Sequence, residues 1–325
     1  MKHIIFGGNG FLGTELTKKL IARDEQILIC DRKQTLATGI YDSPLVSYIK
    51  MDVKDTDTFA NVPTEIGDVV YHFAAELLVP ILKRSERKNY FWQALYVGTT
   101  NVLNFMLQRE LGHIVYYTTD MVYGHTKTNP RFEDHPRAPL GPYGEAKYRT
   151  ELLCDDYRAK GLNITIFRPR LIIGPGRLGI LEKLFKLIDA NLPVPLIGNG
   201  KNHYQFISVS DSAEACLCAV EAGFPNEEYN VGSLNPPTVR ELLNSLISEA
   251  NSKSFLVSTP ASLVKLVLAS LDRINKPLMD PEQYLIADET CVLDVSKGKR
   301  ELNWIPKDND TDLLIIAYRS YKNSK

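Results

Sequence analysis

Tyr143 and Lys147 stand four residues apart in Tyr143-Gly144-Glu145-Ala146-Lys147, a spacing that puts a phenol and an ammonium on one face of a helix. A phenol ordinarily keeps its proton to about pH 10, so a tyrosine works as a base near neutrality only where a positive charge favours the phenolate. Lys147 carries such a charge. Upstream, Thr118-Thr119-Asp120-Met121-Val122-Tyr123-Gly124 ends an apolar run and offers a hydroxyl and a carboxylate. Thr119 as polariser of an oxygen, Tyr143 as proton acceptor, Lys147 as orienting charge and Asp120 beside them are the parts that oxidation of an alcohol needs next to a dinucleotide. A tyrosine and a lysine at this spacing, taken alone, are more often surface decoration. Their position after a strand end gives the pair its weight.

The dinucleotide has its own signal in Ile4-Ile5-Phe6-Gly7-Gly8-Asn9-Gly10-Phe11-Leu12-Gly13, an apolar strand that breaks into glycines and then into the helical pattern Thr14 to Ala22. Gly7 permits the tight turn, Gly10 lets the backbone approach a pyrophosphate, and Gly13 lets the helix pack closely on the sheet. Phe11 and Leu12 open that helix, whose N-terminal N–H groups favour an anion. The spacing is G-x-x-G-x-x-G, in place of the commoner G-x-G-x-x-G. Asp31 closes the next apolar run, where a carboxylate accepts hydrogen bonds from an adenosine ribose and repels a 2′-phosphate, so NAD is expected over NADP; Arg32 and Lys33 pull the other way. Asp52 and Val53 follow the third run and flank an adenine. Phe73, Ala74 and Ala75 follow the fourth, small enough for a cofactor to pass, although ordinary core packing explains the alanines equally well. His72 reads as a satisfied core histidine.

These residues all fall at the ends of short Val/Ile/Tyr-rich runs that alternate with helical stretches, the pattern of an α/β fold with a doubly wound parallel sheet. Strands are predicted at Lys2 to Phe6, Gln26 to Cys30, Val46 to Lys50, Val69 to Phe73, His113 to Thr118 and Asn163 to Phe167, and such sheets bind ligands at the carboxyl ends of their strands. The chain divides into a cofactor-binding domain over 1–168 and a smaller substrate-binding lobe over 169–325, interleaved with the sheet. Gln205 to Val209 and Tyr229 to Val231 are predicted strands returning to the main domain; Gly179 to Ala190 and Arg240 to Ala250 are predicted helices. Ala261 to Ile274 is an amphipathic helix whose apolar face suits a wall of the substrate lobe. Because Lys265, Asp272 and Arg273 give only a modest basic face, a membrane-surface role is its lesser reading.

Composition narrows the function classes. The 325 residues are 44% hydrophobic, enough for a large core, and the formal charge of -1 is spread without a basic stripe, so no nucleic-acid partner is expected. The first strand begins almost at Met1 and no apolar run reaches the roughly 18 residues of a membrane span, so a cytoplasmic location without a membrane partner is expected. Cys30, Cys154, Cys216, Cys218 and Cys291 lack metal or redox spacing and the six histidines lie far apart, so no metal is expected.

With these motifs in place, the chain resembles the extended short-chain dehydrogenases/reductases, and among them the NAD-dependent epimerases and dehydratases of nucleotide-linked sugars. The resemblance runs nearly end to end, through the glycine turn, Asp31, Asp52-Val53, His72 to Ala75, Thr119 to Gly124, Pro142-Tyr143 with Lys147, Arg168-Pro169, Gly174-Pro175-Gly176, Tyr229 to Gly232, Leu293 to Lys297 and Leu302 to Pro306. It implies a Rossmann fold binding NAD, Thr119 as the catalytic hydroxyl, Tyr143 as the base, and Lys147 as holder of the nicotinamide ribose. It also implies a homodimer that pairs the helix near Trp92 to Leu107 with the one carrying Tyr143. Four positions depart from the family. Met121 stands where sugar 4,6-dehydratases carry a second acid, Leu171 where an Asn is common, Tyr204 near where an Arg grips a diphosphate, and Leu95 where an Asn is frequent. Arg177 and Lys201 are alternative diphosphate ligands, with Met121 and Tyr204 beside the sugar. The reading that follows is a nucleotide-sugar 4-epimerase. Leu171 and Tyr204 keep open a dehydrogenase or reductase of a different small alcohol or ketone, as in the branch acting on steroids and flavonoids.

Overall fold

The alternation of apolar runs and helical stretches is realised strand by strand in the computed structural model, which describes residues 1–33, 39–76, 81–176, 179 and 181–323. The strands are β1 (Lys2–Phe6), β2 (Gln26–Asp31), β3 (Val46–Lys50), β4 (Val69–His72), β5 (His113–Tyr117), β6 (Asn163–Pro169), β7 (Leu171–Ile173), β8 (Val194–Ile197), β9 (Phe206–Ser208), β10 (Glu228–Val231) and β11 (Leu256–Thr259). The helices are α1 (Phe11–Ile21), α2 (Arg84–Phe91), α3 (Gly98–Gln108), α4 (Pro142–Arg158), α5 (Leu181–Asp189), α6 (Val209–Glu221), α7 (Val239–Glu249), α8 (Ala261–Arg273), the one-turn α9 (Pro281–Tyr284), α10 (Ser296–Leu302) and α11 (Asp310–Asn323). A π-helical turn, Trp92–Val97, joins α2 to α3.

Seven parallel strands form the main sheet in the order β10-β6-β5-β4-β1-β2-β3. The order reverses between β1 and β4, and a ligand crevice opens at such a switch point beyond the carboxyl ends. Val69, Val70, Tyr71 and His72 are all buried because helices cover both faces. On one face α1 brings Leu12, Leu16 and Leu20 against Ala213, Ala215 and Ala219 of α6, whose small side chains let the two helices approach, with Trp304 closing the layer. On the other, Val102, Leu103 and Met106 of α3 meet Cys154 and Tyr157 of α4. A third core, around Phe185, Leu242, Leu246, Leu313 and Tyr318, belongs to the lobe built from α5, α7 and α11.

Two expectations change. Of the two strands predicted to return to the main sheet, β10 does so beside β6, whereas Phe206–Ser208 pairs with Leu171–Ile173 in a separate two-stranded sheet. Both are short, and nothing in three or four apolar residues says which neighbour they will take. The predicted helix Ala261 to Ile274 forms as α8, but its apolar residues are divided: Val264, Leu268 and Leu271 are partly buried on the inward side with buried Asp272, whereas Leu263, Leu266, Val267 and Ile274 are exposed. Among the described residues no helix is long and apolar enough to cross a membrane.

Candidate active site

A cleft of about 330 Å³ opens at the switch point, bordered by Gly7, Gly10, Asp31, Asp52, Phe73 and Ala75. Gly7 has φ +82, and a Cβ there would lie 2.5 Å from the Ala74 backbone nitrogen; a Cβ on Gly13 would lie 2.6 Å from the Gly7 carbonyl oxygen. Backbone therefore meets backbone at both places, which only glycine allows. α1 starts at Phe11 from a Gly10 N-cap, with no side-chain cap and no acidic residue in its first turn. Its N–H groups and dipole are thus presented to an incoming anion. The Asp31 carboxylate is oriented by the Asn9 N–H at 3.0 Å. Arg32 is drawn off by an ion pair with Glu76, 2.9 Å away. Val53 packs where Gly98 leaves room, and its carbonyl accepts from Asn101 at 2.9 Å. A glycine cradle, a free helix N-terminus and a carboxylate at the end of β2 fit a dinucleotide.

The reactive groups stand at the same end of the sheet. Thr119 caps a short 3₁₀ turn, its oxygen accepting the Met121 N–H at 3.2 Å, which leaves the O–H to donate elsewhere. Tyr143 is buried in a small cluster with Phe91, Leu95 and Ala146, edge-on to the Phe91 ring at 5.4 Å, and Ala75 and Met121 pack against that cluster. Ala75 also borders the cleft, so the cluster that holds Tyr143 adjoins the cofactor space through it. One turn on, Lys147 donates to the Tyr117 carbonyl at 2.8 Å and lies over the Tyr116 ring at 4.9 Å. Burial lowers its ammonium pKa to about 8, with Glu151 opposing. Behind it, His72 stacks on Tyr116 and contacts the Thr99 hydroxyl at 3.0 Å; burial holds its pKa near 3, so the ring is neutral.

The structure gives Asp120 a defined setting. Its Oδ2 accepts from Arg170 Nη1 at 2.6 Å and lies 3.6 Å from Arg131 Nη1, all three residues being buried. The Arg170 guanidinium in turn covers the Tyr204 ring at 5.0 Å, so Asp120 and Tyr204 are brought together through Arg170. Lys201 is exposed in the turn between β8 and β9, its N–H bonded to Asn199 at 2.9 Å. Arg177 lies outside the described residues.

Glu282, which no sequence motif marked, completes the helix that carries Tyr143. α4 begins with Pro142 after a Gly141 N-cap that has no side chain to offer the first N–H groups. Glu282 of α9 supplies the acceptors from 139 residues away, taking the Tyr143 N–H at 2.7 Å and the Gly144 N–H at 2.8 Å. A Cβ on Gly141 or Gly144 would strike its carboxylate, 2.7 Å from Oε1 and 2.7 Å from Oε2 respectively. The missing cap was legible as a pair of orphan donors; the remote acceptor was not. Arg87 of α2 ties the region down, bonding Asp272 at 2.6 Å and pairing with Asp280 at 3.5 Å.

Comparison with known proteins points the same way. The model of the NAD dependent epimerase/dehydratase family matches residues 3–232. The chain is 28% identical over 344 residues to a dTDP-glucose 4,6-dehydratase of an Actinoplanes species, covering 100% of this chain and 99% of that protein. It is 27% identical over 318 residues to a putative UDP-glucose 4-epimerase of Methanocaldococcus jannaschii, covering 95% and 99%. Among solved structures, the UDP-glucose 4-epimerase of Thermotoga maritima with UDP-glucose superposes with a TM-score of 0.80 at 22% identity, covering 100% of this chain and 99% of that one.

Proposed function

The chain belongs to the NAD dependent epimerase/dehydratase family, and from that membership we propose a nucleotide-sugar 4-epimerase that uses NAD. The observation that carries the reading is the cluster that holds Tyr143, against which pack both Met121 and Ala75, the latter a wall of the dinucleotide cleft, with Thr119 bonded to Met121 and Lys147 one turn below. NAD, when bound, supplies hydride acceptance and return. The residues of the chain handle position and protons. Thr119 donates its hydroxyl to the sugar oxygen, Tyr143 takes the proton from that oxygen as the carbon is oxidised, and the same phenol returns it after the keto sugar has turned over. Lys147 is anchored by the Tyr117 carbonyl, where its charge favours the phenolate and its ammonium would hold the nicotinamide ribose of bound NAD. Asp31 accepts from the adenosine ribose, and the pairing of Arg32 with Glu76 supports NAD over NADP.

Met121 cannot remove a proton from the carbon beside a keto group, which disfavours elimination of water. Asp120 is engaged by its hydrogen bond from Arg170 and its ion pair with Arg131. Met121 beside the ring is flexible and uncharged, and so does not obstruct rotation of the keto sugar. Tyr204, Lys201 and Arg177 are proposed to contact the substrate. Mass spectrometry of the product from the best-binding nucleotide sugar tests the reading. An isomer of unchanged mass is expected, loss of one water overturns it, and loss of two hydrogens with stoichiometric NADH favours a dehydrogenase, the reading that Leu171 supports. A homodimer built on the Trp92–Leu107 helix and α4 is proposed as well, and sedimentation at twice the 36.6 kDa chain mass is its check.

A further inference from the structure

α8 is apolar on both of its sides. Its inward side carries Val264, Leu268 and Leu271, partly buried, together with Asp272, bonded to Arg87, and Lys265, which donates to the Leu285 carbonyl at 2.6 Å. Its outward side carries Leu263, Leu266, Val267 and Ile274, spaced i, i+3, i+4 and i+11 and between 49% and 63% exposed. Leu278, just beyond the helix, is exposed to a similar degree. A surface helix normally turns its aliphatic stripe to the core, so a contiguous outward stripe marks a face that something covers.

The charges around the stripe select what covers it. The one acid of α8, Asp272, is turned inward, and Lys265 is taken up by an ion pair with Asp288 at 2.5 Å. Arg273 and Lys276 are exposed at the end of the helix. Exposed Lys183 of α5 joins them by donating to the Leu278 carbonyl at 3.1 Å. An aliphatic stripe bounded by cations matches the headgroup boundary of an anionic bilayer, where apolar side chains enter the acyl region and lysine and arginine meet lipid phosphates. A second copy is a poorer match, because in a two-fold contact the same patch comes from both subunits, bringing Arg273, Lys276 and Lys183 twice over with no exposed acid of α8 to pair with them. We propose that the outward face of α8 docks the protein peripherally on an anionic phospholipid bilayer. The expectation of no membrane partner rested on span length and on the modest basic face of Lys265, Asp272 and Arg273; in the fold Asp272 is turned inward and Lys276 and Lys183 stand with Arg273.

Co-sedimentation of the intact chain with vesicles of phosphatidylcholine mixed with phosphatidylglycerol, and with phosphatidylcholine alone, is the test. The chain should pellet with the anionic vesicles, and roughly tenfold or more weakly after Leu266→Glu or after Arg273→Glu with Lys276→Glu, with added salt lowering the binding further. These side chains are exposed, and unchanged circular dichroism of each variant verifies the fold. Failure of the wild type to pellet with anionic vesicles, or equal pelleting of Leu266→Glu, overturns the proposal. So does a Leu266→Glu variant that splits an oligomer in sedimentation while its vesicle binding stays that of the wild type, since the face is then a subunit contact.

Discussion

Replacing the Tyr143 hydroxyl by hydrogen in Tyr143→Phe keeps the Phe91 packing and should leave cofactor binding intact while lowering turnover by about 100-fold or more, the scale of a lost general acid/base. Lys147→Ala should weaken both, as read by cofactor titration and product formation. Turnover of Tyr143→Phe at the wild-type rate would exclude this phenol as the base. At the other end of the cleft, Glu76→Ala frees Arg32 from its 2.9 Å ion pair, and the affinity for NADPH relative to NADH should rise. Glu282 adds a pH signature. Burial pushes its carboxyl from 4.5 up to about 7, helped by Asp280 and opposed by the Gly144 and Tyr143 N–H groups and by Arg87. The native state therefore keeps a proton that the unfolded chain has lost, so stability falls as pH rises from about 4.5 to about 7, and this group adds nothing further above that. Glu282→Gln does not titrate, and its melting temperature should gain on the wild type across that window. Parallel melting profiles would show that Glu282 does not titrate there.

At the scale of the elements, α4 is the part on which the site depends, and its attachment to the sheet is ionic. Glu151 accepts from Arg168 of β6 at 2.8 Å and from Thr118 at 2.7 Å, with Arg137 at 3.0 Å, one turn after Lys147. Arg168→Leu would leave the buried Glu151 with a diminished set of partners, and a loss of about 3–5 kcal/mol in denaturant unfolding is expected. The sequence made the strands of the main sheet legible to within one or two residues, because parallel strands are continuous apolar runs and the helices between them have their own period. It also marked Gly7, Gly13 and Asp31, whose roles are local: a turn, a close approach and a strand end. It could not mark Glu282 or Arg170, because their partners Tyr143, Gly144 and Asp120 are distant in the chain and the contacts follow from how the lobe folds over the sheet. α8 has the expected span, but its apolar residues are shared between an inward and an outward side, since periodicity shows that a helix has two faces and is silent on how much of its apolar surface a neighbour will cover.

For the molecule as a whole, the sheet and the lobe have separate cores, and the start of the helix that bears the phenol is held by a carboxylate from α9, late in the chain. Saturating NAD should raise the melting temperature by mass action, and the rise should survive Glu282→Ala if the cradle at Gly7 and Gly13 is built by the sheet alone. Synthesis runs from the amino end, so the strands, the glycine turn and the whole of α4 leave the ribosome well before Glu282 does. A nascent chain that stops short of α9 would already possess its dinucleotide cradle while the helix bearing Tyr143 still lacked its N-terminal acceptor. Cofactor capture would then precede competence, and a protease cut in the connection between α8 and α9 would return a finished enzyme to that same half-made condition.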